Sequence, residues 1–362
     1  MNLTLEMKAQ LKEQSKQCIF CKLIKGEMPS KKVFEDDVTI SMLDIYPAKK
    51  GHIVFMQKEH YPIMPYIPAD EFKHLFGLIP QLSTALMSGM VATGVNLFIA
   101  NGGAAGQQAP HFLFHLMARE AGDGFFNFWL NKRNAKLDQD QIKMLSHNFP
   151  LMMANHFKRN PASWHKGAGE RPAYITKLIE DSTVVYEDEK AIVAIPAKEV
   201  TQGHFEIYSK EEEKDIRKLS IDDSHHLFFV ASFAATALFE GLGAQATNII
   251  LKSGNSDDNP DGTLSVHILA RRQGDDLSYL HWQPKQPSYN LDDIQSKIKD
   301  KTWKIKYIDE NKKKTDTKPQ VLTPTKFEFS KVEEKPKQSP KETNTSGPHE
   351  EIRKAIEKAM GK

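Results

Sequence analysis

The stretch HFLFH at residues 111–115 places two histidines four positions apart with apolar residues between them. Imidazoles at such spacing can bind a metal, exchange protons or act as nucleophiles. Side chains alternate faces along a strand, so His111, Leu113 and His115 are expected on one face. Leu113 has no lone pair, so the middle of this row carries no reactive group.

A second pattern, CIFC from Cys18 to Cys21, can chelate a metal ion or form a redox pair. The redox alternative is typical of a βαβ unit. Here a strand-rich region follows, which favours chelation. Zinc needs two further ligands. The candidate ligands are the histidines downstream in the sequence, His52, His60, His74, His111 and His115.

The segment from Asn101 to Gln107 contains three glycines and directly precedes the histidines. Glycine allows the backbone to approach a ligand closely, and consecutive N–H groups can bind an anion. An ordinary turn explains the same composition. Its position beside His111 and His115 favours a phosphate site.

An internal repeat organises the chain. The window that starts at Asn96 aligns without a gap with the window that starts at Asn248, an offset of 152 residues, and this alignment matches His115 with His267. VFEDD at 33–37 matches VYEDE at 185–189 at the same offset. The chain is therefore predicted to contain two copies of one domain.

Each copy is predicted to be α+β. Alternating Val/Ile-rich segments punctuated by Gly, Pro and Asp indicate about five antiparallel strands, and one amphipathic helix packs against them. The predicted helices cover 71–90 and 223–242. A further helix over 138–157 is expected to be bent or split by Pro150.

Five regions follow from this pattern. They are an N-terminal helix at 1–16, a first domain at 17–130, a helical connector at 131–171, a second domain at 172–290, and a disordered Lys/Pro-rich tail at 300–362. The tail is a candidate contact for a protein partner, and its last residues, 350–362, are compatible with one short helix.

Composition excludes several classes of protein. A net charge of +2 gives no basis for a nucleic-acid partner, and two cysteines make no disulfide framework. The N-terminus lacks the apolar core of a signal peptide. The longest apolar run, 227–239, is shorter than the roughly 20 residues that a membrane span needs. We expect a soluble, cytoplasmic protein with no membrane partner.

The three motifs of the first copy together resemble a domain of the histidine triad (HIT) superfamily. Members bind purine nucleotides and act at the α-phosphate, with the middle histidine of a three-histidine row as nucleophile. The resemblance assigns zinc to Cys18, Cys21, His60 and His111. It also assigns nucleotide contacts to Phe20, Asp44, Ile45, Asn101, Gly106, Gln107, Gln108 and His115.

Within that assignment, Asp44 would bind the ribose hydroxyls. Phe20 and Ile45, with Leu23 and Met42, would line the base pocket. The segment from Asn101 to Gln108 would contact phosphate, although Gln108 replaces a residue that is often a small hydroxyl.

Both copies depart from the family at the nucleophile, which is replaced by Leu113 in the first and by Ser265 in the second. The second copy also lacks the zinc ligands, and Pro196 replaces Asp44. Its loop at 253–262 carries three aspartates, which suit a divalent cation or a solvated turn.

The resemblance further implies that the two copies pair side by side as HIT homodimers do, which would form an intramolecular pseudo-dimer. We expect a protein that binds a purine nucleotide or dinucleotide without the usual hydrolysis. The alternatives are an active hydrolase or transferase that uses His115, on a phosphoric anhydride or phosphoramidate, and a non-catalytic scaffold.

Overall fold

The structure is a computed structural model that describes residues 5–130, 135–160, 162, 165, 167–211 and 214–308. In the first half of the chain the strands are β1 (Lys32–Glu35), β2 (Thr39–Leu43), β3 (Ile53–Gln57), β4 (Gly94–Asn101) and β5 (Phe114–Arg119). In the second half they are β6 (Thr183–Glu187), β7 (Ala191–Ile195), β8 (His204–Ser209), β9 (Ala246–Gly254) and β10 (Ser265–Arg271).

All ten strands form one sheet in the order β1-β2-β3-β5-β4-β9-β10-β8-β7-β6, and every neighbouring pair is antiparallel. The predicted α+β class with antiparallel strands is confirmed. The order within the second half mirrors the order within the first, with β4 and β9 adjacent at the centre.

The central pair, β4 and β9, joins the halves symmetrically. Asn96 lies opposite Lys252, and the equivalent residue of the second half, Asn248, lies opposite Ala100. At one end of this pair Gly94 faces Gly254 so closely that a Cβ on Gly254 would lie 2.3 Å from the carbonyl oxygen of Thr93. The two strands can therefore approach each other here only because both positions are glycine.

The helices are α1 (Leu5–Gln17), α2 (Ile19–Ile24), α3 (Ala69–Gly77), α4 (Ile79–Met90), α5 (Gln139–Arg159), α6 (Ala173–Leu178), α7 (Ile221–Leu242) and α8 (Leu291–Thr302). Side chains of α3, α4, α5, α7 and α8 join one face of the sheet in the main apolar core.

Two differences from the predicted helices involve proline residues. The single helix expected at 71–90 is two helices, because Pro80 lies in the first turn of α4, where its missing N–H costs nothing. Pro150 does not split the second helix, because α5 continues through it and the buried Phe149 and Met153 join the core.

Helix α8 was not predicted. Asn290 caps its first turn, and Ile294 and Ile298, one turn apart, are buried. The Thr302 hydroxyl then donates to the carbonyl of Val33 in β1 at 2.9 Å. The predicted start of the disordered tail at residue 300 is therefore wrong, because α8 continues to Thr302 and the described structure extends to residue 308. Residues 309–362, with the expected terminal helix, lie outside the described residues.

Among the described helices, α7 is long and apolar enough to cross a membrane by length and composition. Core helices of soluble proteins share this composition. Here 56% of its apolar window is buried inside the protein, which fits its position against the sheet.

Candidate functional site

The candidate site occupies the face of the sheet opposite the main core. Met42 on β2, Val54 on β3 and His115 on β5 lie on this face by strand alternation and register. The strand predicted to hold the histidine row begins at Phe114, so His111 and Leu113 precede it in an extended segment. Near His111 this segment is held through the Phe112 N–H, which donates to the carbonyl of Tyr61.

The four residues assigned to zinc meet at one end of this face. Cys18 is the N-cap of α2, Cys21 lies within α2, His60 follows β3, and His111 precedes β5; all four are buried. Their ligand atoms lie within 4.8 Å of one another. The redox alternative for the cysteines loses support, because the antiparallel sheet contains no βαβ unit among the described strands.

The donor atoms have spacings that fit a zinc ion. The Cys21 sulfur is 3.3 Å from Nδ1 of His60, and both sulfurs are 3.6 Å from Nδ1 of His111. A tetrahedral ion with Zn–S near 2.3 Å and Zn–N near 2.0 Å separates such atoms by about 3.5 Å. His111 Nε2 lies 3.0 Å from the carbonyl oxygen of Gln57 and donates to it, which leaves Nδ1 facing the sulfurs as a metal ligand requires.

Burial perturbs these groups in the absence of a cation. It raises the pKa of the Cys21 thiol to about 12 and lowers the pKa of His111 to about 4. A divalent cation favours the thiolate and the neutral imidazole, which are the forms that ligate.

A second cluster, formed by Asp44, His52 and His115, lies further along the same face. His52 Nε2 is 2.9 Å from His115 Nδ1, and the nearer Asp44 oxygen is 3.8 Å from His52 Nδ1 and 4.0 Å from His115 Nδ1. His52 was not predicted as a partner of His115, although both histidines recur at the equivalent positions of the second copy, as His204 and His267.

Hydrogen bonding fixes the protons of this pair. The Ala48 N–H donates to His52 Nδ1 at 3.1 Å, so the His52 proton lies on Nε2 and is donated to His115 Nδ1. The His115 proton is then on Nε2. Burial lowers the pKa of each imidazole to about 3, so both are neutral at pH 7. In this proton arrangement His115 presents an N–H donor at Nε2.

The second half of the chain contributes aromatic rings to this cluster. The Trp282 ring centroid lies 5.0 Å from that of His115 and 5.1 Å from that of His52, in edge contacts. His281 packs against the glycine segment so closely that a Cβ on Gly106 would lie 2.1 Å from its ring. Neither residue was predicted; the only signal was an adjacent His-Trp pair near the end of the second copy.

The glycine segment is held in a compact turn with Gly102 at φ 103° and Gly106 at φ 85°. Gln107 organises it: the amide oxygen accepts from the Gly102 N–H at 2.9 Å, and the amide nitrogen donates to the carbonyls of Pro62 and Ala109. The Gln107 side chain is thus committed to the loop itself. Asn101 Oδ1 similarly accepts from the Met64 N–H, while Gln108 is exposed.

An apolar cluster of packed side chains lies on the same face of the sheet. Side chains from β2, β3 and α2 form it, together with the residue that replaces the middle histidine. They are Ile40, Met42, Val54, Met56, Phe20, Leu23, Ile24 and Leu113. Phe20 and Leu113 thus belong to the same cluster. Ile45, which was also expected to line the base pocket, is 56% exposed.

The second half repeats the imidazole pair, but there the outer ring nitrogen contacts a serine hydroxyl. His204 Nε2 is 3.1 Å from His267 Nδ1, and His267 Nε2 is 3.1 Å from the Ser265 hydroxyl. The Val200 N–H faces His204 Nδ1 at 3.5 Å, as the Ala48 N–H faces His52 Nδ1. By the same argument, the His204 proton lies on Nε2 and the His267 proton on the Nε2 atom beside Ser265. In that proton order His267 donates to the Ser265 hydroxyl.

Two of the three carboxylates in the aspartate-rich loop at 253–262 bind groups in the first half of the chain. Asp257 accepts from the N–H groups of Gly122 and Gly124 at 2.6 and 3.0 Å. Asp258, whose side chain is fully buried, lies 2.7 Å from Arg119 Nη1. Both residues bind the first half of the chain.

A family model described as the HIT domain matches residues 25–122. An HIT-like protein of Methanocaldococcus jannaschii is 35% identical over 122 residues, which cover 34% of this chain and 94% of that protein. The adenylylsulfatase HINT3 of Arabidopsis thaliana is 32% identical over 130 residues, 36% of this chain and 66% of its own length.

The adenosine 5′-monophosphoramidase HNT1 of Candida albicans is 36% identical over 107 residues, which cover 28% of this chain and 70% of that protein. Among solved structures, a zinc-bound histidine triad protein of Mycobacterium smegmatis is 30% identical, with 30% of this chain and 80% of that chain covered and a TM-score of 0.28. The matched sequence, which contains the histidine segment and the glycine turn, makes this chain a member of the HIT family.

Proposed function

We propose that the first half of the protein binds a purine nucleotide and does not cleave it by histidine attack. The observation that carries this proposal is the row His111, Leu113, His115: the last imidazole offers a neutral N–H donor, and the middle position offers only hydrocarbon. Losing a catalytic nucleophile typically costs on the order of 10⁶ in turnover.

The surroundings support a nucleotide as the ligand. The apolar cluster that includes Phe20 and Leu113 suits a base, the partly exposed Asp44 suits ribose hydroxyls, and the glycine turn with the His115 N–H suits a phosphate. Relatives named for adenylyl sulfate and adenosine 5′-monophosphoramide favour a nucleoside 5′-phosphate derivative. Gln107 would act indirectly, by holding the turn.

We also propose that Cys18, Cys21, His60 and His111 hold a structural zinc ion. Zinc would connect α2 to the segment that leads into β5, and four protein ligands would leave no open coordination position for a reacting water. The buried donors and their spacing support this assignment.

The second half would serve as a permanent partner for the first. The symmetric β4–β9 pairing supports an intramolecular pseudo-dimer in which residues 172–290 replace a second subunit. This half would supply Trp282 to the site, while its own imidazole pair is closed by Ser265.

Calorimetry with AMP, GMP and a dinucleoside polyphosphate, followed by product analysis, tests the proposal. We expect binding without turnover, at least about tenfold weaker in His115→Ala because a hydrogen bond to a charged phosphate is lost. The matched control is His267→Ala, the equivalent change in the second half, which should bind as the wild type does.

The other outcomes separate the alternatives. Turnover that disappears in His115→Ala would establish the hydrolase, and absence of nucleotide binding would establish the scaffold. Either result contradicts the proposal.

A further inference from the structure

A cavity of about 430 Å³ lies outside the site described above, at the end of the sheet. It is open to solvent and is lined by the turn between β2 and β3, the end of α4, the end of β5 with the segment after it, and residues 285–289, which precede α8. The cavity therefore exists only because the C-terminal part of the second half returns to the first half.

The cavity carries an excess of positive charge. Lys49, Lys50 and Lys285 line it, and none of the three forms an ion pair with a carboxylate in the described part of the chain. Lys49 donates to the backbone carbonyl of Asp123, whose carboxylate is already paired with Arg119. Lys50 lies over the ring of Tyr289, 5.7 Å from its centroid.

The remaining charged groups do not balance these lysines. Arg119 is fully buried and paired with Asp123 and Asp258, so it and Asp123 are already compensated. Glu120 is the one lining carboxylate without a described ion pair. Three ammonium groups around one cavity attract an anion with several charges more strongly than a singly charged one.

We propose that this cavity binds a polyanionic ligand of linked phosphate groups, with Lys49, Lys50 and Lys285 as the cationic contacts. The site is separate from the nucleotide site and does not depend on nucleotide binding. Ammonium groups on flexible stems suit it, because they bind phosphate as point charges that can adjust to a chain of phosphates.

The turn at residues 44–52 lines the cavity and also contacts the imidazole pair. Lys49 and Lys50 face the cavity, while Ala48 in the same turn donates to His52 Nδ1. Asp44 begins this turn, and burial together with the Asp44 charge raises the pKa of Tyr289 on the far side of the cavity. A ligand that orders the turn would therefore hold Asp44 and the Ala48 N–H in place.

The test uses inorganic tripolyphosphate as the probe and the full chain. Calorimetry should show binding to the wild type that weakens at high salt and is at least about tenfold weaker in the double variant Lys50→Ala/Lys285→Ala. The control, Lys299→Ala/Lys301→Ala, removes the same charge from exposed positions on α8 and should stay within about twofold of the wild type.

Two further measurements locate the ligand. Binding should persist in His115→Ala and with saturating AMP, and it should shift the amide resonance of Ala48. The proposal is overturned if the wild type does not bind tripolyphosphate, or if both double variants bind equally. It is also overturned if AMP or His115→Ala abolishes binding, since the probe would then occupy the nucleotide site.

Discussion

Residue 113 is the position at which the proposed function departs from the family's catalytic pattern. Its leucine side chain packs against the buried apolar side chains of β2 and β3, as those of Phe20 and Leu23 do. Both neighbours in the row keep their imidazoles, with His111 directed at the cysteines and His115 at His52. The site thus lacks one side chain and retains the framework around it.

Leu113→His should therefore create hydrolase activity. We expect release of AMP from adenosine 5′-monophosphoramide at least about a hundredfold faster than with the wild type, because a nucleophile alone is worth up to about 10⁶ in rate. Product release followed by chromatography measures it. Leu113→Ala is the control, since it removes the leucine without adding an imidazole. Equal rates for the two variants would show that more than the nucleophile is missing.

The residues that sequence alone could identify are those whose relationships are local or repeated. Alternation placed Leu113 and His115 on one face, and the family pattern brought His60 and not His52 to the cysteines. The sequence could not predict which ring nitrogens of His52 and His115 carry the protons, because that depends on the backbone N–H of Ala48, which no side-chain pattern encodes.

Helix α2 connects the proposed zinc ligands with the apolar cluster that is proposed to contact the base. Within six residues it carries Cys21 toward the histidines and Phe20 and Leu23 toward Leu113. A helix this short has little stability of its own. Its position therefore depends on what Cys18 and Cys21 bind.

Cys18→Ser should remove one zinc per chain and lower the melting temperature by about 5 °C or more, because metal binding contributes to folding free energy. It should also weaken nucleotide binding through displacement of Phe20. Metal analysis, calorimetry and thermal unfolding measure the three effects. Ile19→Ser, at an exposed position of the same helix, should change none of them. Wild-type protein without zinc would contradict the assignment.

Other elements were missed because their partners are distant in sequence. Helix α8 has an ordinary cap and an i, i+4 apolar pair, but its charged composition resembles the tail that follows. What orders it is contact with β1 and α4, more than 200 residues earlier, such as the Thr302–Val33 hydrogen bond. Trp282 reaches His115 for the same reason.

At the scale of the whole molecule, the two halves are joined by backbone pairing and by one buried charge cluster. Arg119 of the first half contacts Asp123 and Asp258, and Lys252 Nζ lies 3.7 Å from the second oxygen of Asp258. The local sequence of the acidic loop suggested a divalent-cation site or a solvated turn. The structure instead places Asp258 beside an arginine 139 positions away in the chain.

Removing the charge of Asp258 should destabilise the whole described fold and not the loop alone. A buried ion pair that loses one partner typically costs about 3–5 kcal/mol, because the remaining charge stays desolvated. Asp258→Asn keeps the shape of the side chain and leaves Lys252 without its closest carboxylate. We therefore expect the free energy of unfolding in urea to fall by about 3 kcal/mol.

Asp261→Asn provides the control, since it removes the same charge from an exposed position of the same loop. It should leave the free energy of unfolding within about 0.5 kcal/mol of the wild type. A single cooperative transition in both variants is expected if the continuous sheet makes the halves fold together. Equal effects of the two substitutions, or separate transitions for the halves in the wild type, would mean that Asp258 does not couple them.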